Sequence, residues 1–235
     1  MRRILALSVV GSMVLACDHG TNGEVEHGHT YGPEGDHQQE GDVLPATVVT
    51  ATEFAPEFIQ HATGVEIIPD VYSGLQSPSN TFTHEGNFGP LLFGESIRSF
   101  YIRLEPGMFL AEHPHPTESL VFTVSGRWVL CSEGKRQVME AGSTFHFASN
   151  APTGWESPFP EGAFLYIVKQ FDEGLDYESY TSDIRDLADQ LDQEMSEGSV
   201  FYYHQLPPDH EAIRFAREHN PEFDEILAGG DGQKE

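Results

Sequence analysis

The feature that most constrains the fold is a series of short apolar runs between about residues 65 and 172, separated by Gly, Pro, Asn and Ser. Phe100, Ile102 and Leu104 occupy every second position, which is the period of a half-buried strand. Turn residues recur at intervals typical of β-sandwiches and β-barrels. No helical segments alternate with these runs, so a parallel α/β fold is not expected. This part of the chain is predicted to be all-β.

Further strands are predicted at residues 119–125, 144–148 and 163–170. Residues 127–131 and 136–139 flank a four-residue turn, Ser-Glu-Gly-Lys, and this arrangement predicts a β-hairpin. Beyond residue 182 the pattern changes to helical spacing. Ser182 is the expected N-cap of a first helix that ends at Gly198, and Asp209 is the expected cap of a second that ends near His219.

The segment with chemical content lies at residues 107–126 and reads GMFLAEHPHPTESLVFTVSG. His113 and His115 are two residues apart, and side chains at that spacing on an extended segment point to the same side. Both imidazoles can therefore reach one ion. The run resembles the first motif of the cupin superfamily, in which a Gly is followed by His-x-His, then by a Glu on the next strand and a turn Gly.

A second segment strengthens this resemblance. Residues 141–155 have the order of the second cupin motif: a Gly, a strand, and a turn containing proline. The resemblance covers about residues 98–170. It implies a cupin-type double-stranded β-helix, or jelly roll. The short C-terminal helices are expected either to pack on the outside of the barrel or to mediate dimerisation. The resemblance also implies a small-molecule ligand inside the barrel, and it is compatible with a homodimer.

The resemblance further implies a divalent transition metal, Fe, Mn, Ni or Zn, held by His113 and His115. Two family ligand positions differ here, because Ser119 occupies the place of the usual Glu and Thr153 that of the second-motif His. Three readings stay open. A bulge turns Glu118 inward, or His146 supplies a third nitrogen, or the barrel binds its ligand without metal. The side chains expected to line the cavity are Tyr101, Phe109, Ser119, Thr153, Trp155 and Tyr166.

The charge balance excludes one class of function. The chain has 12 Lys and Arg against 38 Asp and Glu, a net charge of −26. Such a surface repels a phosphate backbone, so nucleic-acid binding is not expected.

The N-terminus has the pattern of an export signal. Arg2 and Arg3 precede an apolar run that is too short to span a bilayer, and residues 1–16 are predicted to be a removable signal peptide. Cys17 then resembles the lipidated cysteine of a bacterial lipoprotein. The expected location is the periplasm or cell envelope, with a lipid anchor as the sole membrane contact; plain secretion is the alternative.

These patterns divide the chain into five segments. After the signal, residues 17–43 are rich in Gly, His and acidic residues and are predicted to form a disordered tether. Residues 44–175 are the expected barrel domain, residues 176–228 a helical extension, and residues 229–235 a disordered tail.

Two functions fit these observations. One is a metal-dependent cupin enzyme, of the dioxygenase, lyase or isomerase type, acting on a small organic molecule. The other is a non-catalytic binding or sensory cupin with a degenerate metal site.

Overall fold

The computed structural model describes residues 47–49, 58–76, 79–170 and 177–229. Within these ranges no helix is long and apolar enough to cross a membrane. The predicted signal peptide, Cys17, the tether and the last six residues lie outside the described part of the chain.

Twelve strands lie in the described part of the chain. They are β1 (Thr47–Val49), β2 (Phe58–Ala62), β3 (Val65–Ile67), β4 (Thr81–Thr83), β5 (Gly86–Phe93), β6 (Ile97–Leu104), β7 (Phe109–Pro114), β8 (Ser119–Ser132), β9 (Lys135–Glu140), β10 (Thr144–Phe147), β11 (Pro152–Glu156) and β12 (Ala163–Gln170). The strands β1, β2 and β3 form a small antiparallel sheet. The other nine form one curled sheet in the order β4-β5-β6-β12-β8-β11-β7, and β9 and β10 also pair with β8.

Strand β8 connects the two halves of this sheet. Its first half pairs with β10 and β12, and its second half pairs with β9 and β11. At the junction Gly126 has a φ of 79°, a left-handed conformation that glycine adopts without strain. The sequence predicted a turn at this glycine, but the chain continues here as one bent strand.

The main core lies on the concave side of the sheet, because strand residues at every second position point the same way. Phe100, Ile102 and Leu104 of β6 belong to it, together with Val121 of β8 and Leu165 of β12. The curled sheet confirms the all-β jelly roll expected from the sequence, and the pairing of β8 with β9 confirms the predicted hairpin.

Three helices follow the strands: α1 (Tyr177–Ser196), α2 (Glu211–His219) and α3 (Phe223–Gly229). Helix α1 contacts β4 and β5, where Tyr180 joins the core. This aromatic packing extends the helix five residues before the predicted cap, so Ser182 lies inside α1 and is not its N-cap.

The second predicted helix ends at His219 as expected, but its cap is His210. The His210 backbone N–H donates to the carbonyl of Pro207, so Asp209 lies within a turn and not at the helix start. Helix α3 was not predicted. It is seven residues long, and its Phe223 is fully buried against the ring of Tyr203.

Candidate metal centre

Strand β7 carries the His-Pro-His motif to the inner side of the sheet. His113 pairs with Thr153 of β11, and His115 follows immediately after the strand. Gly154 permits this close pairing, because a Cβ atom there would lie 2.7 Å from the carbonyl oxygen of Leu110. Glycine in the second motif therefore allows β7 and β11 to approach each other.

The turn between β4 and β5 brings a carboxylate to the same place. The Thr83 hydroxyl accepts the backbone N–H of Glu85 at 3.1 Å and donates to the carbonyl of Gly86 at 3.2 Å. Gly86 itself has a φ of 121°, which disfavours any residue with a side chain. These contacts hold the Glu85 backbone in one conformation.

Glu85, His113 and His115 together form a three-residue group. Each offers one ligand atom, and these atoms lie within 4.8 Å of one another. The Oε1 atom of Glu85 is 3.7 Å from Nε2 of His113. The rings of the two histidines have centroids 4.5 Å apart.

His113 is held in the tautomer that a metal ligand needs. Its Nδ1 atom lies 3.0 Å from the backbone oxygen of Ala111, and a carbonyl can only accept a hydrogen bond. Nδ1 therefore carries a proton, and Nε2 faces Glu85. A hydrogen bond of this kind, made by the ring nitrogen that does not face the metal, orients metal-binding histidines generally.

The pKa values in this group follow from burial and from mutual charge. Burial raises the pKa of Glu85, but the hydrogen bond from His113 and the charges of the neighbouring histidines outweigh it and lower that pKa well below its ordinary value. Burial lowers the pKa of His113, and Glu85 more than reverses this. At His115 burial dominates and lowers the pKa to about 4, so that imidazole is neutral at pH 7.

His115 provides the observation that tests whether a metal fits. The ring is buried against Phe147, with centroids 4.9 Å apart, and Nε2 has no hydrogen-bond partner in the described structure. A buried unpaired nitrogen is unfavourable unless something binds it. Two imidazoles and a carboxylate are also the donor set of many non-haem iron sites. The residues present therefore fit a divalent transition metal.

The predicted third ligands do not join this group. Glu118 and His146 contact each other, with 3.2 Å between Oε2 and Nε2, and their side chains are 58% and 51% exposed. His146 pairs in register with the exposed Leu120, so it lies on the outer face of the sheet. In the described residues, the carboxylate that lies beside His113 and His115 is that of Glu85.

Sequence reasoning missed Glu85 because it lies 28 positions before His113, outside both motifs. The local signal was the Thr-x-x-Gly turn that surrounds it, which indicates a fixed backbone but not a ligand.

The predicted cavity residues fall into three groups. Ser119 and Thr153 are buried, and their hydroxyl oxygens have no partner within the described residues. Trp155 belongs to the main core and stacks on Trp128 at 5.2 Å.

Three other predicted cavity residues pack elsewhere: Tyr101 and Tyr166 in a cluster with Phe164, and Phe109 in a cluster with the C-terminal helices. The two-residue strand period explains Tyr101 and Tyr166, because their neighbours Phe100 and Leu165 are the residues that point into the core.

A comparison with known proteins supports the cupin-type fold described above. Residues 100–169 match the family model described as a cupin domain. This segment of the chain is therefore identified as a cupin domain. A search of curated proteins finds no match.

Three solved structures are among those to which parts of this chain are similar. A cupin 2 conserved barrel domain protein from Salinispora arenicola is 18% identical, with a TM-score of 0.39 over 51% of this chain and 97% of the other. A double-stranded β-helix protein from Klebsiella pneumoniae is 21% identical, with a TM-score of 0.38 over 44% and 88%. The DMSP lyase DddQ from Ruegeria pomeroyi is 17% identical, with a TM-score of 0.32 over 35% and 42%.

Proposed function

We propose that this protein is a metal-dependent cupin enzyme, of the dioxygenase, lyase or isomerase type, that acts on a small organic molecule in the barrel. The observation that carries the proposal is the buried Nε2 of His115, which lies beside Glu85 and His113 and has no hydrogen-bond partner among the described residues. These three residues would hold the ion. A transition metal held there polarises an oxygen atom of a substrate as a Lewis acid.

The protein's own residues orient this chemistry. Ala111 fixes the ring of His113, and the Thr83 turn fixes the backbone of Glu85. The hydroxyls of Ser119 and Thr153 are buried and have no partner in the described part of the chain, so they are available to hydrogen-bond polar groups of a bound molecule. Their positions correspond to ligand positions in the family motifs. A substrate therefore meets hydroxyl groups where other cupins have a carboxylate and an imidazole.

The test is metal content measured by mass spectrometry on the full chain. The protein is reconstituted separately with Fe(II), Mn(II), Ni(II) or Zn(II) and then passed over a weak chelating resin. We expect about one tightly held equivalent of one of these metals. H115A and E85Q should each lose it.

Matched controls separate this site from histidines elsewhere. E118Q and H146A change the same residue types in the exposed pair, and both should keep the metal. Histidines at residues 18–43 are present in every variant, so loosely bound metal cancels in the comparison. An equal content of bound metal in the wild type, H115A and E85Q would contradict the proposal.

The second candidate is a binding or sensory cupin without catalysis. The replacement of two family ligands by Ser119 and Thr153 favours it, because fewer donors hold an ion less tightly. Native mass spectrometry separates the two functions. Metal-free protein carrying a small molecule from the cell supports the second candidate, and stoichiometric metal supports the first.

We also propose that the protein is exported and anchored by lipidated Cys17. The support is the sequence of residues 1–17 alone. Labelling of cells with a palmitate analogue should mark the wild-type protein in the membrane fraction. C17S should remain unlabelled, and equal labelling of both would contradict the anchor.

A further inference from the structure

Two cationic side chains lie next to the candidate metal centre on the inner face of the sheet. Arg98 of β6 pairs in register with Lys169 of β12, and Lys169 pairs with Ser119 of β8. Arg98 is an even number of positions from the core residue Ile102, and Lys169 is two positions from Ile167. The strand period therefore directs all three side chains to the same side as the core.

Neither cation has an ion-pair partner within 4.0 Å in the described part of the chain. The Arg98 guanidinium lies over the ring of Tyr180, 4.2 Å from its centroid. Its Nε atom is buried and has no hydrogen-bond partner among the residues that the structure describes. Two partly buried cations on neighbouring strands repel each other, and an anion between them relieves that repulsion.

Strand register places Lys169 near the metal group. Lys169 pairs with Ser119, Ser119 pairs with Phe147 of β10, and the ring centroids of Phe147 and His115 are 4.9 Å apart. Burial lowers the pKa of Lys169 itself, Glu85 opposes this, and the charge of Arg98 lowers the pKa further. Lys169 therefore lies in the electrostatic surroundings of both the ligand group and Arg98.

Two cations without a carboxylate partner are not expected from the composition of this chain. The chain has 12 Lys and Arg against 38 Asp and Glu, so most cations have carboxylates available to pair with. Arg103, on the same strand as Arg98, has such a partner in Glu105 at 3.3 Å. Arg98 and Lys169 do not, even though their surroundings are partly desolvated.

A surface groove lies near this region on the outer face of the sheet, where Leu120 and His146 line it. It has a volume of about 380 Å³, and its lining includes Ser119 and Lys169 together with Glu118 and His146 of the exposed pair. The volume is at the lower end of the range for small-molecule sites. Lys169 itself is partly exposed, so a small ligand can reach its side chain from solvent.

We propose that this site takes a small carboxylic acid, with its carboxylate held by Lys169 and Arg98. The remainder of the molecule then extends toward Glu85, His113 and His115. This inference rests on the proposed function, since it names the substrate class of the same site. An arginine fork and an ammonium group are the usual partners of a carboxylate in proteins.

The test compares benzoate with benzamide, which have the same shape but differ in charge. Binding to the full chain is measured by ligand-observed NMR and calorimetry, before and after treatment with a chelator. We expect benzoate to bind about tenfold more tightly than benzamide or better. K169M and R98M should each remove most of that preference.

Two variants and one further anion serve as controls. R103M removes an exposed, ion-paired arginine on the same strand and should leave benzoate affinity unchanged. R98K keeps the charge and should recover part of the affinity that R98M loses. Circular dichroism checks that each variant is folded. If R98M does not fold, K169M alone tests the proposal. Inorganic phosphate should bind more weakly than benzoate.

The outcomes separate this inference from the proposed function, because metal content is measured on the same samples. Equal binding of benzoate and benzamide, or unchanged affinity in K169M, overturns the carboxylate site even when metal is present. Tighter binding of phosphate overturns it as well. If the protein binds no metal but still binds benzoate more tightly than benzamide, the carboxylate site is supported and the proposal of a metal-dependent enzyme is contradicted.

Discussion

The buried imidazole of His115 shows how a single residue can point to a ligand. Its Nε2 atom has no hydrogen-bond partner within the described structure, although a buried unpaired polar atom costs about 1–3 kcal/mol. His113 differs, because Ala111 and Glu85 occupy its two nitrogens. The two histidines of one motif therefore have different electrostatic surroundings. The motif predicted both residues, but it did not predict this difference.

Cys131 allows a prediction at the residue scale. Its thiol is buried, and Sγ donates to Oε1 of Glu112 at 3.0 Å. Burial and the Glu112 carboxylate raise the pKa of Cys131 to about 12. The thiol is therefore protonated at pH 8, where an ordinary cysteine is partly ionised. Iodoacetamide should modify native Cys131 at least about tenfold more slowly than the unfolded chain at pH 8.

E112Q provides the comparison for this prediction. The substitution removes the carboxylate charge but keeps the size of the side chain, so the thiol pKa should fall and alkylation should accelerate. Mass spectrometry of the modified peptide measures both rates. Rapid alkylation of the native wild-type protein would contradict the assigned environment.

The two glycines that bend or terminate strands have different roles at the scale of elements. Gly126 lies within β8, and a Cβ atom there would overlap the backbone oxygen of Gly162. Gly134 closes the β8–β9 hairpin with a φ of 71°, and a Cβ atom there would meet nothing within 4 Å. Only the first glycine combines a left-handed backbone with a steric clash.

G126A should therefore destabilise the fold much more than G134A. We expect G134A to cost about 1–2 kcal/mol, because only the left-handed conformation opposes it. G126A should cost more than about 3 kcal/mol, since the backbone around β8 and β12 must also move. Urea unfolding of the two variants measures the difference, and equal losses would argue against a bent continuous β8.

Arg136 connects three elements through its guanidinium group. Nε donates to both carboxylate oxygens of Glu156 on β11, at 2.9 and 3.2 Å, and Nη1 lies 3.0 Å from Glu211 of α2. Glu156 is fully buried and also accepts a hydrogen bond from the Tyr203 hydroxyl. Burial raises the pKa of Glu156, and Arg136 opposes that shift.

R136M should destabilise the protein by about 3–5 kcal/mol, because it leaves a buried carboxyl group without its counter-charge. E211Q removes the other partner, whose side chain is 57% exposed, and should cost no more than about 1 kcal/mol. Thermal and chemical unfolding compare the two. A loss in E211Q as large as that in R136M would show that the contact with α2, and not Glu156, is the important one.

At the scale of the whole molecule, metal binding and folding should be coupled. Glu85 comes from the β4–β5 turn, while His113 and His115 come from β7 and the residue after it, so the site exists only when distant segments are assembled. A ligand that binds only the native state stabilises it by about 2.7 kcal/mol at 100 times its Kd. The metal that is retained in reconstitution should therefore raise the melting temperature.

E85Q and H115A should abolish this rise, and E118Q should preserve it. Differential scanning calorimetry with and without a chelator measures the effect. A melting temperature that responds equally in all variants would assign the stabilisation to metal bound elsewhere on the chain.

The sequence predicted much of the fold because short-range patterns specify it. Two-residue alternation in β6 and the Gly in the β8–β9 turn are local properties, and both were interpreted correctly. The cap of α1 was wrong because packing of Tyr180 on β5, a long-range contact, extends the helix. The same limit applies to Glu118, whose proximity to His115 along the chain does not bring it to the inner face.

By itself, the sequence determined the cupin class, the strand order within the motifs and the two histidines, since each depends on neighbours a few positions apart. Only the tertiary structure decided that Glu85 is the carboxylate beside them and that Arg98 and Lys169 lie together without ion-pair partners in the described residues. The physical reason is that these residues are far apart along the chain. They meet only when the curled sheet brings β4, β6, β7 and β12 into one structure.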